Sequence, residues 1–237
     1  MSLPVFIHPG PLEGTVTLDG PEGRHAVSVK RIVAGERIML IDGRGTHATV
    51  TVTATRGKDE LTGVVEERGV DKQPRPRVSV VQALPKAERS ELAVDLATQA
   101  GADEIIPWQA ERCVAKWVGA KAGKGVAKWQ AAATAAAKQS RRTRIPTIHE
   151  PMTTAQVADY LRGKKALVLH EEAATPLREV DLDVDELVLI VGPEGGIGDE
   201  ELARLGAQAV KLGPEVLRTA SAAMVALAAI GVLTGRW

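Results

Sequence analysis

Apolar and polar positions alternate over short stretches in the first 72 residues, a pattern typical of β-strands. The turn-forming sequence Asp42-Gly43-Arg44-Gly45 separates two of these stretches, and residues 21–29 are predicted to form a short helix. The predicted strands lie at residues 14–18, 37–41, 48–53 and 61–66. Short strands at this spacing predict a small β-barrel.

Beyond residue 77 the pattern changes to continuous apolar runs that alternate with longer stretches of helical periodicity. Strands are predicted at 78–84, 105–108, 166–169, 187–191 and 209–212, and helices at 86–100, 128–140, 199–205 and 220–233. This alternation predicts an α/β domain with a mostly parallel sheet and helices on both faces. Two prolines among charged residues at 72–77 indicate a stiff linker, so we predict domains at 1–72 and 78–237 with a linker at 73–77.

The composition narrows the class of protein. No apolar run approaches the roughly 18 residues of a membrane span, and residues 1–6 lack the charged and apolar regions of a signal peptide, so we expect a cytoplasmic location. Cys113 is the only cysteine, which excludes disulfides within the chain and predicts a small buried residue. None of the five histidines has metal-ligand spacing, so no metal is expected.

Basic and acidic residues balance to a net charge of zero, but their distribution is uneven. From residue 112 to 144 there are nine Lys and Arg residues and no Asp or Glu, whereas residues 151–237 carry thirteen acids and eight bases. Such a basic block attracts a polyanion onto one face of a protein. It equally fits a solvated helix face whose charges are balanced elsewhere in the fold.

Three segments near the C-terminus follow apolar runs and are therefore predicted to leave the carboxyl ends of strands. They are Leu169-His170-Glu171, Gly-Pro-Glu-Gly-Gly-Ile-Gly at 192–198 and Leu-Gly-Pro-Glu-Val-Leu-Arg-Thr at 212–219. Ligands bind at this edge of an open α/β sheet, so three converging loops predict a pocket and an enzyme. The glycine-rich segment is neither a Walker A loop nor a Gly-x-Gly-x-x-Gly loop, which weakens a phosphate-binding interpretation.

Arg218 lies just before an almost wholly apolar predicted helix, for which Thr219 or Ser221 is the predicted N-cap. An arginine in this place needs a partner, which is either a ligand or an acidic residue in a structural salt bridge. His170 with Glu171 and Glu172 can be interpreted as a metal-binding or an acid–base set, and the histidine spacing disfavours the metal.

The glycine-rich segment followed by Leu-Gly-Pro-Glu-Val-Leu-Arg-Thr resembles the knotted SPOUT methyltransferases. Among them it is similar to RsmE, the 16S ribosomal RNA (uracil-N3) methyltransferase family. His25, Lys30-Arg31 and 42–45 resemble that family's N-terminal barrel, which is related to PUA RNA-binding domains. Residues 111–113 and 129–142 resemble its central region.

The resemblance implies a homodimer that binds S-adenosylmethionine in a deep trefoil knot of the C-terminal domain. It implies methylation of N3 of a specific uridine in the decoding region of 16S rRNA, with the small ribosomal subunit as partner. We expect Arg218 to be the catalytic residue. The implied cofactor-binding residues are Leu169, His170, Glu171, Gly192, Pro193, Glu194, Gly195, Gly196, Ile197, Leu212, Gly213, Leu217, Arg218 and Thr219. We expect RNA phosphate contacts from Lys30, Arg31, Arg112, Lys128, Arg141 and Arg142.

Methylation of uracil at N3 requires removal of the imide proton and a base that is flipped out of its stack. We expect Arg218 to stabilise the negative charge on the uracil carbonyl oxygens, while Glu194, His170 and water remain alternatives for the general base. The chain carries Ala220-Ser221 where many relatives have Glu-Thr, and Lys138 where an acid is common. The alternatives are another rRNA or tRNA nucleotide as target, a non-catalytic RNA-binding module and, least favoured, a nucleotide-hydrolysing enzyme.

Overall fold

The computed structural model describes residues 3–237 and divides them into two compact units. Unit 1 contains the described residues up to Gln73 together with Ala137–Ile145. Unit 2 contains Pro74–Ala136 and Pro146–Trp237. No helix among the described residues is long and apolar enough to cross a membrane.

Unit 1 is built on a five-stranded sheet with the strand order β1-β3-β4-β5-β2. Its strands are β1 (Val5–Ile7), β2 (Thr15–Leu18), β3 (Arg37–Ile41), β4 (Thr46–Arg56) and β5 (Glu60–Val70), and α1 (Gly20–Arg24) continues into a π-helical turn, His25–Val29. β1 pairs with β3 in parallel, and the other ladders are antiparallel. The four predicted strands are present, β4 and β5 being longer than predicted, whereas β1 was not predicted.

The core of unit 1 follows directly from the alternation of the strands. In β3, Ile38 and Leu40 are fully buried while Arg37 is exposed, because successive side chains point to opposite faces. The predicted turn between β3 and β4 forms as well: the Asp42 carboxylate accepts the backbone N–H groups of Arg44 and Thr46 at 2.7 and 2.9 Å.

The segment Ala137–Ile145 joins unit 1 through polar contacts. The Lys138 ammonium donates to both carboxylate oxygens of Glu22 at 2.6 and 2.9 Å and lies 3.3 Å from Nδ1 of His25. Burial, and then the nearby Lys138 charge, lower the pKa of His25. Further along, the Thr143 hydroxyl donates to the Asp71 carboxylate at 2.5 Å.

Unit 2 contains a parallel sheet with the strand order β12-β10-β11-β6-β7-β8. Its strands are β6 (Arg77–Ala83), β7 (Glu104–Gln109), β8 (Thr147–Ile148), β9 (Met152–Thr153), β10 (Lys165–Leu169), β11 (Glu186–Val191) and β12 (Gln208–Val210), with β9 pairing to β7 off the main path. Every ladder in it is parallel, which confirms the predicted α/β class. Almost every position of β6 and β11 is buried, so the centre of the sheet is covered on both faces.

The remaining α-helices are α2 (Ser90–Gln99), α3 (Ala120–Gln139), α4 (Thr154–Tyr160), α5 (Asp199–Leu205) and α6 (Thr219–Thr234), and short 3-10 helices lie at Ala87–Arg89 and Leu177–Glu179. α2 packs against α6, and α4 packs against α5. The sequence pattern did not predict α4, although a capping box marks its start: Thr153 and Gln156 each accept a hydrogen bond from the other's backbone N–H.

Candidate functional site

A pocket of about 400 Å³ opens at the carboxyl ends of four neighbouring strands of unit 2. Its walls are the loops that follow β6, β10, β11 and β12, together with the first turn of α6. The chain passes from β6 to β7 on one side, while β11 pairs with β6 on the other. Such a point, where the strand order reverses, is the usual ligand site of an open parallel sheet.

The structure brings the predicted cofactor-binding residues together around this pocket. Every one of them except Gly195 lines it: Leu169, His170, Glu171, Gly192, Pro193, Glu194, Gly196, Ile197, Leu212, Gly213, Leu217, Arg218 and Thr219. The convergence of three loops, which was expected from the sequence, is therefore present in the fold. Binding of a cofactor by these residues stays a prediction.

The glycine-rich loop after β11 needs its glycines for two separate reasons. A β-carbon on Gly192 would lie 2.8 Å from Cγ1 of Ile197, a buried residue of the pocket wall. Gly196 has a φ of +72°, a left-handed conformation that other residues adopt only with strain. These positions keep the backbone open to the pocket.

Gly195 lies against Arg112. The Arg112 guanidinium donates to the Gly195 carbonyl at 3.2 Å, and a β-carbon on Gly195 would lie 3.1 Å from Cβ of Arg112. Arg112, which was predicted to contact RNA, is exposed and packs on the loop that lines the pocket.

A buried carboxylate holds the chain next to Arg112 in place. Glu201 is fully buried, and its Oε1 accepts the Thr154 hydroxyl at 2.5 Å and the Glu111 backbone N–H at 3.0 Å. Thr154 in turn accepts the indole N–H of Trp108 at 3.1 Å. These bonds connect β7, α4 and α5 with the segment that carries Arg112. Through Arg112 that segment contacts the glycine-rich loop at Gly195.

Arg218 is the N-cap residue of α6, and its carbonyl accepts the backbone N–H groups of Ser221 and Ala222 at 2.9 and 3.0 Å. The predicted side-chain cap by Thr219 or Ser221 is wrong, because the Ser221 hydroxyl donates to the Arg218 carbonyl at 3.2 Å instead. The Arg218 side chain is exposed at the pocket and has no hydrogen-bond or ion-pair partner among residues 3–237. The sequence left two kinds of partner open for Arg218, a ligand or an acidic residue. Among the described residues no acidic one pairs with it.

The two side chains considered as general bases differ in their surroundings. Nδ1 of His170 accepts the Glu172 backbone N–H at 3.3 Å, which occupies that nitrogen's lone pair. Glu194 is exposed, and its Oε1 accepts the Lys86 backbone N–H at 3.3 Å. Within residues 3–237 no group of three or more His, Cys, Asp or Glu side chains is arranged to hold a metal ion.

Sequence reasoning missed one wall of the pocket. The loop after β6 contributes Lys86, Glu88 and Arg89. In the sequence this wall is a charged segment at the end of a predicted strand. Assigning the segment to the pocket requires the strand order, which places β6 beside β11. Further lining residues that were not predicted are Val191, Lys211, Glu215, Val216 and Ala222.

The predicted RNA-binding residues are divided between the two units: Lys30, Arg31, Arg141 and Arg142 belong to unit 1, and Arg112 and Lys128 to unit 2. Arg31 and Arg141 have φ values of 57° and 58° and are the non-glycine residues with positive φ in the described chain. Strained backbone of this kind persists where the surrounding structure fixes it, and it is common at binding sites.

Cys113 is buried, as predicted. Burial raises the pKa of its thiol, and the thiol lies 3.7 Å from the Trp108 carbonyl. Its environment is that of a core residue.

Comparison with known proteins assigns the chain to a family. The RNA methyltransferase domain family matches residues 71–231, and the RNA methyltransferase PUA domain family matches residues 18–66. The ribosomal RNA small subunit methyltransferase E of Mycobacterium tuberculosis is 49% identical over 229 residues, which cover 93% of this chain and 87% of that protein. The protein of the same name from Bacillus subtilis is 29% identical, with 93% and 91% covered.

A solved structure extends the likeness to three dimensions. The crystal structure of a ribosomal RNA small subunit methyltransferase E from Neisseria gonorrhoeae bound to S-adenosyl methionine superimposes with a TM-score of 0.88. It is 26% identical in sequence, and the match covers 98% of each chain. The matched domains, the relatives and the fold agree, and they show that the chain belongs to the ribosomal RNA small subunit methyltransferase E family.

Proposed function

We propose that the protein transfers a methyl group from S-adenosylmethionine to N3 of a specific uridine in 16S rRNA of the small ribosomal subunit. The observation that carries the proposal is the pocket at the ends of β10, β11 and β12, where the family's loop motifs meet around Arg218, whose side chain has no partner among residues 3–237. Family membership supports the reaction class. The choice of uracil N3 in the decoding region rests on the sequence resemblance to the RsmE family.

The pocket residues fit S-adenosylmethionine as cofactor. Gly192 and Gly196 leave the backbone of the loop open, and Leu169, Ile197 and Leu217 supply apolar surface beside polar groups. The related Neisseria gonorrhoeae protein is bound to S-adenosyl methionine. When bound, the cofactor supplies an electrophilic methyl group on a sulfonium.

The role of the chain is to place the uracil and to stabilise its charge. N3 lies on the pairing edge of the base, so the base has to leave its stack before it enters the pocket. Holding N3 in line with the methyl group contributes up to about 7–11 kcal/mol to lowering the barrier. The Arg218 guanidinium stabilises the negative charge that develops on the carbonyl oxygens as the N3 proton leaves.

The proton acceptor follows from the contacts of the two candidates. Because the backbone of Glu172 already donates to Nδ1 of His170, a neutral His170 carries its proton on Nε2 and has no free lone pair. Glu194 keeps one carboxylate oxygen without a partner among the described residues, so Glu194 or a water molecule is the better acceptor.

A cytoplasmic location fits the proposed rRNA substrate. Two finer parts of the proposal rest on the resemblance: the C-terminal domain forms a deep trefoil knot, and two copies associate through the C-terminal domain. α6 supports the last part, because Val225, Val232 and Leu233 expose apolar side chains on it.

The test is transfer of labelled methyl to small ribosomal subunits from cells that lack the protein, with the modified nucleoside identified by mass spectrometry. We expect N3-methyluridine with the wild type, and Arg218→Ala lowers kcat about 10²- to 10³-fold. Arg162→Ala is the matched control. Arg162 is exposed and pairs with Asp159 at 2.7 Å. It lies before the amino end of β10, whereas the pocket lies at the carboxyl end of that strand.

Another methylated nucleoside would overturn the assignment to uracil N3 and favour a different nucleotide of rRNA or tRNA. Absence of both methyl transfer and cofactor binding would overturn the proposed enzyme and favour the RNA-binding module.

A further inference from the structure

The arginines of unit 2 separate into two groups by their contacts. The sequence places nine arginines in this unit. The side chains of seven of them have a hydrogen-bond or ion-pair partner: Arg75, Arg77, Arg112, Arg162, Arg178, Arg204 and Arg236. For Arg89 and Arg218 the described residues supply none, and both of these line the pocket. Arg218 has a proposed role in stabilising the charge on the uracil, whereas no role has yet been proposed for Arg89.

The loop that carries Arg89 has a fixed structure. The Lys86 backbone N–H donates to Glu194 at 3.3 Å, and the Arg89 backbone N–H donates to the Lys86 carbonyl at 2.8 Å. The fully buried Trp129 donates its indole N–H to the Ser90 hydroxyl at 2.8 Å, directly after Arg89. The loop is thus joined to the glycine-rich loop at one end and to α3 at the other, so the backbone that carries Lys86 and Arg89 is fixed beside the pocket.

We propose that Lys86 and Arg89 form a phosphate-binding subsite for the RNA strand whose nucleotide enters the pocket. The inference rests on the proposed function. The implied cofactor residues all follow β10, β11 and β12, whereas Lys86 and Arg89 follow β6 and form a separate wall. An arginine without a protein partner is suited to bidentate contact with a phosphate, and the exposed Lys86 adds a second charge.

The salt dependence of RNA binding tests this subsite directly. The probe is the unmethylated small ribosomal subunit, and the logarithm of its binding constant is measured against the logarithm of salt concentration for the wild type and for variants. We expect Arg89→Gln to reduce the magnitude of the slope by about 1 and Lys86→Gln with Arg89→Gln to reduce it by about 2. Arg89→Lys keeps the charge and is expected to keep the slope.

Arg162→Gln is the matched control and is expected to leave the slope unchanged. The affinity for S-adenosylmethionine, measured by calorimetry, stays within twofold of the wild type in every variant. A slope that does not change in Arg89→Gln would overturn the subsite, and so would an equal loss of cofactor affinity, which would assign Arg89 to the cofactor. The binding slope needs no methyl transfer, so failure of the subsite and failure of the proposed enzyme give different results.

Discussion

Several side chains converge on the carboxylate of Glu104, in β7. His149 lies 2.9 Å from its Oε2, the Tyr160 hydroxyl donates at 3.1 Å, and the Arg77 guanidinium pairs with its other oxygen. The hydrogen bond from His149 is the largest cause that lowers the pKa of Glu104 to about 2, with Arg77 adding to it against the opposing effect of burial. The group stabilises the fold only while it is ionised.

This predicts a loss of stability in acid. The folded pKa is about 2 and the ordinary value 4.5, so the contribution is complete above pH 4.5 and disappears as the pH falls towards 2. It is on the order of 3 kcal/mol at neutral pH. Urea unfolding at several pH values measures it: Glu104→Gln should be less stable at pH 7 and depend less on pH between 5 and 2. Parallel curves for wild type and variant would contradict the assignment.

Glu201 gives a second prediction at this scale. Glu201→Ala leaves the Thr154 hydroxyl and the Glu111 backbone N–H without their acceptor, so we expect the free energy of unfolding to fall by about 2 kcal/mol or more. The neighbouring Glu200 is exposed, and Glu200→Ala should cost less than about 1 kcal/mol. Similar losses in urea unfolding of both variants would show that the buried bonds contribute little.

At the scale of elements, the shape of the pocket depends on the backbone conformation of the glycine-rich loop. Gly196 and Gly206 both have positive φ, 72° and 60°, but Gly196 lines the pocket and Gly206 caps α5. An alanine in the left-handed region costs roughly 1–2 kcal/mol at either position.

We therefore expect Gly196→Ala and Gly206→Ala to lose similar amounts of stability, while Gly196→Ala alone weakens S-adenosylmethionine binding, by about tenfold. Thermal unfolding and calorimetry measure the two effects. Unchanged cofactor affinity in Gly196→Ala would indicate that the ligand does not contact this loop.

Periodicity predicted the longer elements because their burial follows from a local pattern, which is alternation in β3 and a continuous apolar run in β11. It missed β8 and β9, each of two residues, which are too short to show a period. It also missed α4, whose seven residues are marked only by the capping box. The loop after β6 was not assigned to the site because pairing of β6 with β11 joins residues more than a hundred positions apart.

At the scale of the whole molecule, the predicted RNA contacts and the pocket can be tested separately. Reversing the charge of Arg141 and Arg142 should reduce the salt slope of RNA binding by about 2 and leave the cofactor affinity unchanged. Arg56 and Lys58, exposed at the turn between β4 and β5, provide the control charge reversal in the same unit. Equal loss of RNA and cofactor binding would contradict a division of labour between these residues and the pocket.

Unit 1 is built from two separate segments of the chain, and the local sequence pattern does not show that they belong together. Lys138 and Glu22 are 116 positions apart, and their contact depends on a fold that brings Ala137–Ile145 to the residues before Gln73. Hydrophobic periodicity describes neighbours along the chain, so an ion pair of this separation gives no periodic signal. The basic block was visible in the sequence, but the pairing of Lys138 with Glu22 was not.

The discontinuous unit 1 also has a consequence for biosynthesis. When the ribosome has added Gln73, all residues of the five strands have been synthesised, but Lys138 and Thr143, the partners of Glu22 and Asp71, have yet to be made. At roughly 5–20 residues per second, synthesis continues for about 4–14 s before Ile145 is added. Unit 1 therefore cannot be completed until the first part of unit 2, Pro74–Ala136, has been translated.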